Sequence, residues 1–246
     1  MVLKKHLQED YNMNSYNHYL IFADLFRYPD EKYPERVEQC ITMLSKNYPE
    51  VVDEMKVFEE YIQTHTSDER EELFTKTFDV QPICYLDLGY VIWGEDYKRG
   101  AFLLHMQQEQ EAAGNDCGNE LPDNISNILT LFTKTNDQEL LDELAVKILI
   151  PGVKKMIAEF EQAKVDLKIK VLKKLHNAII QEELNSGNVY RRVFETLLHI
   201  LKKDFENVHF EEEPSAILNQ QHHQSFFGKH SVNIEVNNIV NNYKLD

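Results

Sequence analysis

Three cysteines, ten histidines and one Glu-x-x-His run are the residues of this 246-residue chain from which chemistry could be built. A carboxylate-bridged di-iron bundle needs two Glu-x-x-His motifs on separate helices and two further glutamates, all facing inward. The chain has a single run, Glu206 to His209, placed where its last predicted helix is ending. His222, His223 and His230 are close enough in sequence to bind zinc or nickel through imidazole, but they stand in a polar stretch without periodicity. Cys84 sits among apolar residues, and Cys117 follows Asp116, whose charge disfavours a thiolate. Gly-x-Ser-x-Gly, Walker A and Gly-x-Gly-x-x-Gly do not occur in the sequence, so neither a serine nucleophile nor a phosphate cradle is legible. These residues predict a binding protein with no catalytic residues, no resident metal and no cofactor. The alternative is a helical-bundle metal carrier or enzyme that uses the C-terminal histidines and Cys117 as ligands.

The unusual residues concentrate instead between Phe78 and Asp123. Five of the eight glycines fall there (Gly89, Gly94, Gly100, Gly114, Gly118), with the only tryptophan, Trp93. Tyr85, Tyr90, Trp93 and Tyr97 are interleaved with Asp87, Glu95 and Asp96. Special backbone geometry, aromatics and fixed charge without a nucleophile suit a surface that holds a partner. An apolar helix with a basic end would meet both components of such a groove. Arg99 reads equally as an internal ion pair or as a partner contact.

The elements that must position these residues are helical. Tyr16, Tyr19, Leu20, Ala23 and Phe26 recur at i, i+3, i+4 and predict a helix over 15–27, stopped by Tyr28-Pro29-Asp30. Helices follow over 33–46 and 49–64, and Thr66-Ser67-Asp68-Glu69 has the form of a capping box ahead of Leu73, Phe74 and Thr77. Leu86, Gly89, Tyr90 and Trp93 share one face of a short helix that Gly94 closes, and the helical pattern resumes from Glu95 to Ala113. After a loop over 115–120, Pro122 is expected in the first turn of a helix that turns Ile125, Ile128, Leu129 and Phe132 inward. Thr135-x-x-Gln138 is expected to cap the next helix, and Ile150-Pro151-Gly152 to turn the chain into another. The pattern continues over 167–179, breaks at Asn185-Ser186-Gly187 and ends in a helix from Tyr190 to Phe205. The fold class is therefore all-α, a single-domain bundle of about ten helices over 1–210, followed by an Asn/Gln/His-rich tail over 211–246 that is expected to be mobile.

Charge narrows the partners. Twenty-six basic against 42 acidic residues leave a net charge of −16, which opposes binding to a phosphate backbone and favours a basic partner or plain solubility. Cys40, Cys84 and Cys117 are odd in number and widely spaced, as in a reduced cytoplasmic protein. No apolar h-region follows the first lysines and no run approaches 18 apolar residues, so a soluble chain with no membrane insertion is expected.

At Phe78-Asp79, Gly94-Glu95-Asp96-Tyr97-x-Arg99-Gly100-Ala101 and Glu120-Leu121-Pro122-Asp123 the sequence resembles the cytoplasmic maturation chaperones of complex iron–sulfur molybdoenzymes. The branch it is most similar to is NarJ-like, the delta subunit of respiratory nitrate reductase, within the TorD-like group. Leu25-Phe26-Arg27-Tyr28-Pro29-Asp30 looks like that branch's opening, and the resemblance covers about residues 16–150. It implies an all-helical chaperone that holds the apo catalytic subunit of a molybdopterin oxidoreductase by its N-terminal leader or its remnant while molybdenum cofactor and iron–sulfur centres are inserted. By position it implies peptide-binding roles for Leu121, Pro122 and Asp123, with Tyr90, Trp93, Glu95 and Arg99 across the groove; the residue chemistry adds Leu86, Asp87 and Asp96. It also implies a monomer or a helix-swapped dimer. Relatives often carry histidine directly after this aspartate, where this chain has Asn124, a side chain that does not titrate near neutral pH.

Overall fold

Helical periodicity resolves into ten α-helices within residues 16–161 and 188–210, which the computed structural model describes. They are α1 (His18–Leu25), α2 (Tyr33–Asn47), α3 (Val52–Thr64), α4 (Ser67–Phe78), α5 (Leu88–Trp93), α6 (Tyr97–Ala112), α7 (Ile125–Leu131), α8 (Gln138–Glu143), α9 (Ile150–Glu159) and α10 (Asn188–Asp204). A 3₁₀ turn, Pro49–Val51, leads into α3, and a π-helical segment, Leu144–Leu149, joins α8 to α9. Among the described residues the only strand-like pairing is one isolated antiparallel bridge between Asp87 and Asn124. None of the described helices is long and apolar enough to cross a membrane. The all-α reading holds. The helix read over 167–179, the break at Asn185-Ser186-Gly187 and the tail over 211–246 lie outside the described residues.

The core follows from apolar spacing. Tyr33, Val37, Cys40 and Leu44 place one buried stripe along α2, and Met55, Phe58 and Ile62 face it from α3. α10 packs against α3 and α9, and α1 against α2 and α7. Tyr190 sits at the centre of this packing, its ring edge-on to Phe78 at 4.8 Å and tilted against Phe58 at 5.1 Å. Its hydroxyl lies 3.1 Å from that of Tyr33, which itself donates to the Leu25 carbonyl at 2.6 Å. Each such ring, taken fully out of water, contributes roughly 1.5–3 kcal/mol, and its hydroxyl is tolerated only because it is paired.

The capping box forms as read: Thr66 accepts from the Glu69 N–H, and the Glu69 carboxylate accepts from the Thr66 N–H at 2.8 Å. Three other expectations shift. Pro122 and Asp123 do not open α7; the chain turns there, with the Asn124 N–H donating to the Leu121 carbonyl, and Asn124 is the cap, its Oδ1 accepting from the Ser126 N–H at 3.0 Å. A side-chain acceptor at Asn124 satisfies an orphan N–H that Pro122 could not. Likewise Asp137, not Thr135, caps α8 by accepting from the Leu140 N–H at 3.0 Å. Finally, Ile150-Pro151-Gly152 makes no turn, because Leu149 and Ile150 keep right-handed helical dihedrals. Proline has no N–H to return to the preceding turn, and the ladder widens into the π segment instead of breaking. Gly152 then lets α9 cross α5 closely: a Cβ at that position would overlap the Leu88 side chain.

Candidate functional site

Glycine, aspartate and arginine come together where α5 begins. Two backbone bonds, Leu88 N–H to the Asp123 carbonyl at 3.0 Å and Ile125 N–H to the Leu86 carbonyl at 2.9 Å, tie the start of α5 to the start of α7. The Asp123 side chain is fully buried in this junction and its Oδ2 accepts from the Gly89 N–H at 2.9 Å. That approach requires glycine: a Cβ on Gly89 would lie 2.6 Å from Asp123 Oδ2 and 3.1 Å from the Phe102 ring. The other oxygen, Oδ1, has no hydrogen-bond partner, nor does the buried Arg99 Nε. The Arg99 guanidinium lies over the Tyr90 ring at 5.1 Å, with Nη2 4.0 Å from Asp87 Oδ2. Arg99 thus serves an internal pair while remaining partly exposed.

Beside this junction is a cleft of about 200 Å³. Its lining is aromatic at Tyr28, Phe74, Phe78 and Tyr85 and acidic at Asp79, Asp87 and Glu120, and it includes Arg27, whose guanidinium donates to Asp24 and to Thr130. Asn124 bridges two of the carboxylates, its Nδ2 donating to Glu120 Oε2 at 3.3 Å and to Asp87 Oδ1 at 3.5 Å. The loop from α4 carries Asp79 and Tyr85 here, folding back so that the Ile83 and Cys84 N–H groups both reach the Thr77 carbonyl. Pockets for drug-sized ligands run to roughly 300–1,000 Å³, so this one accepts the end of a single side chain rather than a metabolite.

Burial raises every carboxyl group in this neighbourhood. Desolvation pushes Asp79, Asp87 and Glu120 above the ordinary carboxylate range, and for Glu120 the nearby charges of Asp87 and Asp79 add to it. Asp123 is pushed up to about 6 by desolvation and then by Asp87, against the opposing pull of the Gly89 N–H and Arg99. Three carboxylates line the cleft with one guanidinium, Arg27, which is bonded to Asp24 and Thr130, while Arg99 reaches Asp87 at 4.0 Å; the remaining negative charge favours a further cation, and aromatic faces provide a second favourable surface for it.

The ten residues singled out in the sequence divide. Leu86, Asp87, Tyr90, Arg99 and Asp123 gather at the junction, and Leu86 and Asp87 also line the cleft. Asp123 is inside the protein rather than on a groove wall, so its part is to position α5. Pro122 contributes its carbonyl, which accepts from Gln110 Nε2 at 2.9 Å, and Leu121 is exposed beside Glu120. Trp93 packs on Phe102 with centroids 5.0 Å apart, and Asp96 is used as the cap of α6, accepting from the Lys98 N–H at 2.9 Å. Glu95 is exposed, and its charge helps to raise the Tyr90 phenol, after the larger effects of Tyr85 and desolvation. Tyr28, Phe74, Phe78, Asp79 and Glu120 were not among the ten; Tyr28, Phe78-Asp79 and Glu120 carried a signal only as part of the resemblance, and Phe74 carried none beyond core periodicity. The three cysteines remain as thiols, and Cys40 is pushed up to about 12 by burial. Among the described residues no group of three His, Cys, Asp or Glu side chains could hold a metal ion; the tail histidines lie outside them. No protein-family model and no curated protein matches the chain.

Proposed function

We propose that this chain is a cytoplasmic maturation chaperone, not an enzyme, that holds the apo catalytic subunit of a respiratory molybdoenzyme, nitrate reductase first among them, while molybdenum cofactor is inserted. The observation that supports the reading is the cleft: three carboxylates, of which Asp87 is half-buried and Asp79 and Glu120 are exposed, share one lining with four aromatic rings in a space sized for one side chain. A client segment with a basic residue on an amphipathic helix presents the complementary groups. Its cation enters between Tyr28 or Tyr85 and the Asp87–Glu120 pair, and its apolar face meets Tyr85, Tyr90 and Leu121. Charge placement along the cleft sets specificity more than affinity. Ordering a flexible leader limits the interaction to the micromolar range, on the order of −8 kcal/mol, which suits a protein that must release its client. The resemblance of Phe78-Asp79 and Glu120-Leu121-Pro122-Asp123 to the molybdoenzyme chaperones supplies the identity of the client; the cleft supports only its chemistry.

The test is a pull-down with tagged full-length protein from its own host grown without oxygen on nitrate, comparing wild type with Asp87→Asn/Glu120→Gln. Wild type should recover a molybdopterin-type catalytic subunit, and the double variant at least tenfold less of it at unchanged helical content. Equal recovery by both would remove the cleft from the reading. Recovery by neither, with stoichiometric metal on the wild-type protein, would replace the chaperone by the metal carrier.

A further inference from the structure

Two buried polar atoms of opposite charge stand unmatched at the α5–α7 junction, Arg99 Nε and Asp123 Oδ1. A buried group without a partner is costly, because it forfeits the hydrogen bonds it made in water. Arg99 and Asp123 are nonetheless neighbours. A Cβ placed on Gly89 would lie 2.6 Å from Asp123 Oδ2 and 3.4 Å from Arg99 Cγ, and Nε is only two bonds beyond Cγ. The guanidinium itself lies over the Tyr90 ring at 5.1 Å, with Nη2 4.0 Å from Asp87 Oδ2. That separation is beyond hydrogen-bond reach, so Asp87 holds the guanidinium by charge alone. Both aspartates feel it: Arg99 opposes the rise of the Asp87 and Asp123 carboxyl groups alike.

Asp87 is also the group that links Arg99 to the cleft. It lines the cleft whereas Asp123 does not, and Asn124 Nδ2 joins it to Glu120. The cation already in the lining, Arg27, is bonded to Asp24 and Thr130, and Glu95, the other carboxylate felt at Tyr90, is exposed to water that screens it. We infer that Arg99 is a two-position side chain, held by Asp87 until a cation entering the cleft pairs with that carboxylate, and then handed to the free oxygen of Asp123. Rotation about the outer bonds of the arginine makes the exchange. It matches two buried charges that the present arrangement leaves apart, and it takes the guanidinium off the Tyr90 ring, whose face then meets an apolar group of the same ligand. Because Asp123 also accepts from the Gly89 N–H at 2.9 Å, occupancy of the cleft is coupled to the α5–α7 junction. The inference rests on the reading of the cleft as a cation site.

The test uses the full chain and supplies the cation from within it. Glu120 is exposed and shares the Asn124 amide with Asp87, so Glu120→Lys sets an ammonium beside Asp87 without an added ligand. Heteronuclear NMR at neutral pH follows the Arg99 Nε–H, assigned by its loss in Arg99→Lys. In Glu120→Lys this proton should exchange with water at least about tenfold more slowly than in wild type, because it has become a bonded N–H. Glu120→Gln, which removes a charge and adds none, should leave the wild-type rate, and Asp123→Asn in the Glu120→Lys background should abolish the slowing. Urea unfolding provides a second readout. The coupling between Arg99→Gln and Asp123→Asn, expressed on the folding equilibrium constant, should be under about threefold in the wild-type background and at least about tenfold in Glu120→Lys. An unchanged exchange rate in Glu120→Lys, an equal slowing in Glu120→Gln, slowing that survives Asp123→Asn, or equal coupling in the two backgrounds would each overturn the hand-over. No client is used, so a failed pull-down with Asp87→Asn/Glu120→Gln bears on the proposed function alone, and an Arg99 that stays in place bears on this inference alone.

Discussion

Asp204 and Asp123 are both carboxylates withdrawn from solvent, and they are treated in opposite ways. Asp204, at the end of α10, accepts from His18 at 2.8 Å, from Tyr19 at 2.9 Å and from Tyr48 at 2.7 Å. Burial alone would raise it, but the bonds from His18, Tyr48 and Tyr19 outweigh burial and hold it below the ordinary carboxylate range. Asp123 accepts at one oxygen from the Gly89 N–H and the Asp123 Oδ1 has no partner, so desolvation wins and the group rises to about 6. The first carboxylate closes a network that joins α1, the end of α2 and α10. The second leaves charge uncompensated beside a cleft that already carries Asp79, Asp87 and Glu120. A satisfied carboxylate stabilises a fold; Asp123, fully buried and not among the residues that line the cleft, acts on it only through the junction it positions and through its charge on Asp87.

The contrast breaks most visibly at Asp204. Asp204→Asn keeps one acceptor but puts an amide N–H₂ where the other oxygen accepted, from Tyr48 at Oδ1 or from His18 and Tyr19 at Oδ2, and a buried charge-assisted network loses about 2–4 kcal/mol when it is disrupted in this way. The depressed wild-type pKa fixes the sign with pH: the native state holds fewer protons than the unfolded chain, so Asp204 contributes fully above its unfolded value and loses that contribution as pH falls through the lower folded value. Urea unfolding should therefore show the full deficit at pH 7 and a shrinking one below the ordinary value of 3.8. A deficit under about 0.5 kcal/mol at pH 7 would show that the three bonds do not govern stability.

A smaller effect is expected at Gly89. Gly89→Ala drives a methyl group into Asp123 Oδ2 and the Phe102 ring, and overpacking of this kind costs about 1–3 kcal/mol. Gly100→Ala is the internal control, because the same methyl group meets nothing there and a helix interior gains about 0.5–1 kcal/mol from it. Opposite signs in thermal unfolding of the two variants would confine the close approach to Gly89; equal signs would remove the reason for glycine at the α5–α7 junction.

Much of this was legible before the structure because it is local. The capping box at Thr66 and Glu69, the stripe of Tyr33, Val37, Cys40 and Leu44, and the closure of α5 at Gly94 all depend on neighbours within a few residues. Pro122 was misplaced because proline favours a first helical turn but does not cap one, and here Asn124 is the cap. Pro151 does lie in the first turn of α9, as read, but the π-helical segment ahead of it carries the chain on without the expected turn. Asp87, Arg99 and Tyr85 were recognisable by type, whereas the other aromatic residues of the cleft were not. Phe74 and Phe78 read as core, which they also are, each 5% exposed, and Tyr28 is brought to them from 46 residues away by the return of the chain through α2 and α3. Apolar residues that serve both core and cleft carry no separate mark in a periodic sequence.

The last prediction has the opposite sign from the first. Asp123→Asn can keep the Gly89 N–H bond through its amide oxygen and directs an N–H₂ toward the neighbourhood of Asp87 in place of an unpartnered anion. The wild-type group has its folded pKa raised to about 6 from an ordinary value of 3.8. The native state therefore binds a proton more tightly than the unfolded chain between those values, and wild-type stability from this group falls as pH rises through the window. Above it the charged form disfavours folding by up to about 3 kcal/mol. Removing the charge should stabilise the protein by about 1–2 kcal/mol at pH 7.5, with the gain largely gone by about pH 4, the mirror image of Asp204→Asn. Urea unfolding at the two pH values measures it directly. A variant less stable than wild type at pH 7.5 would mean that Asp123 is compensated after all, and the distinction between the two carboxylates would rest on hydrogen-bond number alone.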